Sequence, residues 1–139
     1  EVSDVLRICS DGRVAVVPWG GGTSVVGGLS AIDGGRRAVV ALDLGRMNRL
    51  VSVDHISRTA TFEPGVRTPA AEAALAAHGM SLGHVPQSFE RASLGGYVVT
   101  RSSGQSSSGR GRIDDMVLGV RMATPRGELV LPTRPLSAA

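Results

Sequence analysis

Hydrophobic positions change their period several times along the chain, and each change marks an element. Val2, Val5, Leu6 and Cys9 recur at helical spacing and Gly12 follows them, so the chain is expected to open on an amphipathic helix. Val14 to Val17 is a continuous apolar run ended by Pro18, which predicts a buried strand. Ala38 to Leu42 is a second such run, predicted as a strand covered on both faces. Leu50 to Val53 and Thr59 to Phe62 are short β-prone segments around Asp54-His55-Ile56-Ser57, the pattern of a hairpin. Thr68 is predicted to cap a helix that has Pro69 at its first position, Glu72 in its first turn, a Leu/Ala face and Gly79 just past its end. In the Gly- and Ser-rich stretch from Ser81 to Gly111, a short helix is expected near Ser93, because Leu94, Tyr97 and Val98 share a face. Val117 to Met122 and Glu128 to Leu131 read as two strands around the turn Thr124-Pro125-Arg126-Gly127. The predicted class is α+β, with long glycine loops.

The length of 139 residues suits one domain, which would bury roughly two thirds of its unfolded surface. No apolar run approaches the roughly 20 residues of a membrane span, so no integral membrane segment is expected. All 15 basic residues are Arg, for a formal charge of +3, and they are scattered apart from Arg110-Gly111-Arg112, which argues against a nucleic-acid surface. The single Cys9 has no internal disulfide partner and no metal-ligand spacing around it, so no metal is expected and a reducing, cytoplasmic location is favoured. Glu1 to Asp11 lacks the apolar core of a signal peptide and reads as the middle of a longer protein.

Glycine changes the picture most. Seven of the sixteen residues from Gly20 to Gly35 are Gly, and the segment Pro18-Trp19-Gly20-Gly21-Gly22-Thr23-Ser24-Val25 follows directly on a predicted strand. Consecutive residues without side chains let backbone N–H groups converge on an anion, and the Thr23 and Ser24 hydroxyls add donors. That is a recipe for pyrophosphate; a plain glycine turn between strands is the alternative. A Walker loop is excluded because the chain has no Lys. A Rossmann turn requires a helix directly after the glycines, and Val26 to Gly35 is too glycine-rich to be one.

The glycine loop is followed, in order, by Pro64-Gly65, Gly83-His84-Val85-Pro86-Gln87-Ser88, Ser93-Leu94-Gly95-Gly96, Thr100-Arg101-Ser102-Ser103-Gly104 and Ile113-Asp114-Asp115-Met116-Val117. This ordered set resembles the FAD-binding domain of FAD-linked oxidases of the vanillyl-alcohol oxidase type. Its closest pattern is that of the alkyldihydroxyacetone-phosphate synthases and their bacterial relatives. The resemblance implies an α+β domain of two subdomains with FAD between them. It implies a pyrophosphate loop over residues 18–28, to which Pro18 and Trp19 through Val25 contribute, and a second FAD-contacting region over residues 84–117. In that second region the implied cofactor residues are Pro86, Gln87, Ser88, Ser93, Gly95, Gly96, Thr100, Arg101, Ser102, Ser103, Ile113 and Asp115. The Ser93 to Gly96 amides are expected to face the cofactor from a helix start, Ile113 to approach it through its backbone, and Asp115 to support the loop.

Two departures from the family pattern bear on chemistry. Gln87 stands where the synthases usually carry Asp, making that contact neutral, and Thr23 and Ser24 stand where covalent flavin relatives carry a His, implying noncovalent FAD. His84 falls where the family has a His near the flavin pocket and is the candidate for a proton donor or phosphate contact; a structural hydrogen bond to a backbone carbonyl is its other reading. His55 and His78 are expected to be solvated. The family continues past this point into the closing part of the FAD domain and a substrate domain, so the chain is expected to be an incomplete FAD-binding domain, inactive alone. A small-molecule substrate would be met through the missing domain, and a homodimer is the candidate assembly of the full-length protein. Three functions remain open: acyl-to-alkoxy exchange on acyl-dihydroxyacetone phosphate, oxidation of a 2-hydroxy acid of the D-lactate or glycolate type, and a truncated domain without function.

Overall fold

The computed structural model describes residues 1–131. Its elements run α1 (Val2–Asp11), β1 (Val14–Trp19), β2 (Ala38–Asp43), β3 (Leu50–Asp54), β4 (Thr59–Phe62), α2 (Thr68–Ala76), α3 (Leu94–Thr100), α4 (Ser107–Arg110), α5 (Ile113–Met116), β5 (Val120–Thr124) and β6 (Gly127–Leu131). The strands form three two-stranded sheets: β1 with β2 in parallel, and the antiparallel hairpins β3–β4 and β5–β6. The parallel pair holds Val14 opposite Ala38 through Trp19 opposite Asp43, and α1 packs against β1 and β5.

Several expectations are corrected. β1 continues through Pro18 to Trp19, because Pro18 sits in a strand with one partner among the described residues, where a missing N–H costs little. β2 is not covered on both faces: Ala38, Val40 and Ala41 are exposed among the described residues. Thr68 is the first residue of α2 and not its cap, which is Arg67, and Glu72 lies beyond the first turn. The Thr68 hydroxyl instead donates to the Tyr97 phenol oxygen at 2.8 Å, both residues being buried. β5 begins at Val120 because Val117 ends the short helix α5, and neither α4 nor α5 was legible in a Gly- and Ser-rich stretch without helical period.

The core is small and lies under the second half of the chain. Ala92, Tyr97 and Ile113 are buried together, with Leu82, Leu94, Val98, Met116 and Val117 packed around them. Ala71 and Leu75 on the inner face of α2, and Val66 just before it, are also buried. The segment before α2 is stitched to the start of α3 by two backbone bonds, from Leu94 N–H to the Val66 carbonyl (2.9 Å) and from Gly95 N–H to the Pro64 carbonyl (2.8 Å). These bonds fix where the turn after β1 must pass, since that turn lies on the same segment.

Candidate functional site

The glycine turn after β1 packs directly on the residues that enter α3. A Cβ added at Gly21 would lie 2.6 Å from the Ala92 Cα and run into the Arg91 carbonyl oxygen, so only Gly lets the two backbones approach this closely. The Arg67 guanidinium donates to that same Arg91 carbonyl, holding the far wall in place. Gly22 adopts φ +69, and a Cβ there would lie 2.7 Å from the Trp19 indole. Among the described residues, none of the backbone N–H groups from Gly20 to Val25 donates to a protein acceptor. Gly20, Gly21, Thr23 and Ser24 are half-buried and Gly22 and Val25 exposed, so the loop carries N–H groups that no protein acceptor engages among the described residues.

Beyond the loop opens a groove of roughly 500 Å³, with Thr23 and Val25 on one side and Pro86, Gln87 and Ser88 on the other. Ser102, Ser103, Gly104 and Gln105 form its floor and end. Gly104 was not anticipated as a lining residue, and neither was Gln105. Gly104 is required there because a Cβ would lie 2.8 Å from the Val85 carbonyl carbon. Gln105 donates its N–H to the Val85 carbonyl at 3.0 Å, and Gly104 N–H donates to the Ser107 hydroxyl at 2.7 Å. The signal for both was the run of small polar residues from Ser102 to Ser108, which has no helical period.

Behind the floor sits His84, 1% exposed, with Nε2 3.0 Å from the Ser102 hydroxyl oxygen and its ring edge-on to Tyr97 at 5.0 Å between centroids. Burial lowers its pKa below the ordinary 6.5, which favours the neutral imidazole. In the Nε2–H tautomer the ring donates to Ser102 and leaves the serine hydrogen for a groove ligand. Burial likewise raises the Tyr97 phenol, against hydrogen bonds with Thr68 and Ser88 that act in the opposite direction.

The groove is thus neutral, hydroxyl-rich and bounded by free amides, a combination suited to a long phosphate-bearing ligand with an uncharged head. The FAD binding domain family's sequence profile matches residues 1–131. The chain belongs to the FAD binding domain family. Its cofactor is FAD. The chain is 39% identical to the alkyldihydroxyacetonephosphate synthase of Trypanosoma brucei brucei, over 94% of this chain and 22% of that protein. It is 32% identical to the glycolate oxidase subunit GlcD of Bacillus subtilis, over 94% of this chain and 27% of that protein. A solved alkyldihydroxyacetonephosphate synthase superposes with a TM-score of 0.88 at 38% identity, over 94% of this chain and 24% of that one. The chain therefore spans about a quarter of the length of the relatives it matches.

Within this FAD binding domain the expected site residues separate into three groups. Thr23, Val25, Pro86, Gln87, Ser88, Ser102 and Ser103 line one groove; Gly20, Gly21, Gly22 and Ser24 belong to the same loop but do not line it. A second group supports the site from behind. Ser93 is buried and its hydroxyl accepts the Gly96 N–H at 3.3 Å; Ile113 is buried and donates its N–H to the Ser102 carbonyl at 3.1 Å; Asp115 accepts the Arg112 N–H at 2.8 Å.

The third group corrects an expectation. The first amides of α3, expected to be free, are engaged within the chain: Leu94 and Gly95 donate to Val66 and Pro64, Gly96 to Ser93 Oγ and Tyr97 to the Ser93 carbonyl. Gly95 is small for a different reason, since a Cβ there would lie 2.6 Å from the Pro64 side chain. Thr100 turns its hydroxyl back onto the Gly96 carbonyl at 2.8 Å, and Arg101 pairs with Asp114 at 2.8 Å, so neither side chain lines the groove. Pro18 and Trp19 carry the loop as the last residues of β1. His84 does not line the groove either; it meets the lining only through its contact with the Ser102 hydroxyl.

Among the described residues no helix is long and apolar enough to cross a membrane.

Proposed function

We propose that residues 18–28 hold the FAD pyrophosphate through backbone amides, and that residues 84–117 carry the cofactor onward along the groove between two subdomains of an incomplete FAD-binding domain. The observation that supports this most is the loop of unengaged N–H groups from Gly20 to Val25, which runs into a groove lined by neutral side chains at Thr23 and Val25. The residues fit the group: the loop supplies amides without side chains in the way, and Thr23, Ser88, Ser102 and Ser103 supply hydroxyls for phosphate and ribose oxygens. Bound FAD supplies a two-electron flavin centre. The chain's own part is to fix that centre in place and exclude water from the phosphates. No His lies in the glycine loop, so attachment is noncovalent.

The whole protein's reaction, in this reading, is exchange of acyl for alkoxy on an acyl-dihydroxyacetone phosphate, without net redox change. Support comes from the 39% identity to the trypanosomal synthase, against 32% to the glycolate oxidase subunit. Oxidation of a 2-hydroxy acid is the second reading and rests on that latter relative. Groups that touch the substrate belong to the part of the protein outside this chain, and with them the small-molecule specificity. A cytoplasmic homodimer that binds no nucleic acid completes the reading, on the free Cys9 and the scattered arginines. The deciding experiment is an assay of the protein carrying this chain. Transfer of a fatty alcohol onto acyl-dihydroxyacetone phosphate is expected; dye reduction by glycolate or D-lactate without transfer would replace the synthase reading with the oxidase one.

A further inference from the structure

Far from the groove, two imidazoles that are distant in sequence meet. His55 lies in the β3–β4 turn and His78 just beyond α2, with ring centroids 5.2 Å apart and ring planes tilted by 56°. We propose that these two side chains form a site for a divalent transition-metal ion of the zinc, nickel or copper class, which clips the β3–β4 turn to the end of α2.

Three observations carry this. The first is metric: a zinc–nitrogen bond of about 2.1 Å places an imidazole centroid about 3.2 Å from the ion, and at a tetrahedral angle two such centroids lie about 5.2 Å apart. The observed centroid separation equals this value. The second is availability. Both rings are exposed, and among the described residues His84 alone has a ring nitrogen engaged in a hydrogen bond. The third is preorganisation. Asp54 Oδ1 accepts from Ile56 N–H at 2.8 Å and Ser57 N–H at 3.1 Å, closing the turn around His55. On the other side, His78 N–H donates to the Leu75 carbonyl at 2.9 Å, and Gly79 in the left-handed region ends the helix there. Both backbones are thus set before a metal arrives, which lowers the entropic cost of bringing two ligands together.

Among the described residues no third His, Cys, Asp or Glu joins the pair, so water completes the coordination sphere and the ion is exchangeable. Neutral imidazole favours copper over zinc and nickel in the usual order of divalent ions. Because the ion binds the folded arrangement, it raises the stability of the hairpin-to-helix contact by mass action.

The test titrates zinc chloride into metal-free, untagged protein carrying this chain, beside His55→Ala and His78→Ala, with circular dichroism confirming that both variants fold. Each single variant is expected to bind one zinc fewer per chain and to lose the zinc-dependent rise in melting temperature. Unchanged stoichiometry in either variant, or no zinc bound by the unsubstituted protein, overturns the proposal.

Discussion

His84 Nε2 stands 3.0 Å from the Ser102 hydroxyl, and this contact links a buried imidazole to a serine on the floor of the groove. Burial depresses the His84 pKa below 6.5, so the folded protein binds the His84 proton less readily than the unfolded chain does. Stability from this group is therefore complete above pH 6.5 and is lost as the pH falls below that value through the folded pKa. FAD retention should weaken over the same range, because a protonated ring strains the wall that carries Ser102. His84→Asn should flatten this pH dependence. A flavin-retention profile with the same acid limb in wild type and variant would separate His84 from the effect.

The approach of Gly21 to Arg91 and Ala92 leaves no room for a side chain. Gly21→Val should cost on the order of 1–3 kcal/mol of packing strain and release most of the flavin. Visible absorbance of purified wild type and variant, at equal protein and with matched circular dichroism, measures it. Equal flavin content would remove the loop from the site.

The buried bond from Thr68 to the Tyr97 phenol should be worth more than a surface bond, since neither partner can turn to water. Thr68→Val removes one of the two partners of the phenol, leaving Ser88, and should destabilise by about 1–3 kcal/mol in urea unfolding. A variant as stable as wild type would show that the phenol finds another partner.

Arg101 closes α3 in the left-handed region, φ 51, where a Cβ is unfavourable, yet its guanidinium pairs with Asp114. The pair lowers the Asp114 pKa chiefly through the Arg101 hydrogen bond. Relief of the backbone offsets the loss of an exposed ion pair, whose contribution is small. Arg101→Gly should therefore leave stability nearly unchanged, while Arg101→Ala should lose stability. Equal melting temperatures for the two variants would contradict this account of the cap.

The elements set by local signals were legible in the sequence. The hairpin around Asp54 to Ser57, the Ser93 start of α3 and the Gly12 stop of α1 all follow from turn and cap chemistry within a few residues. What depends on distant neighbours was not. The apolar run in β2 reads as fully covered, but a strand's cover is set by what packs on it, which periodicity does not contain. The first α3 amides look free in the sequence, whereas those of Leu94 and Gly95 donate to the carbonyls of Val66 and Pro64, some thirty positions earlier. His55 and His78 read as two solvated residues because their closeness exists only in the fold.

Comparison of FAD with riboflavin tests the central claim most directly, since riboflavin lacks the pyrophosphate that the Gly20 to Val25 amides are assigned to hold. Flavin fluorescence should be titrated with deflavinated protein carrying this chain. The account predicts saturable quenching of FAD that added pyrophosphate reverses, and weak or absent binding of riboflavin. Riboflavin binding as tight as FAD binding, unaffected by pyrophosphate, would contradict it.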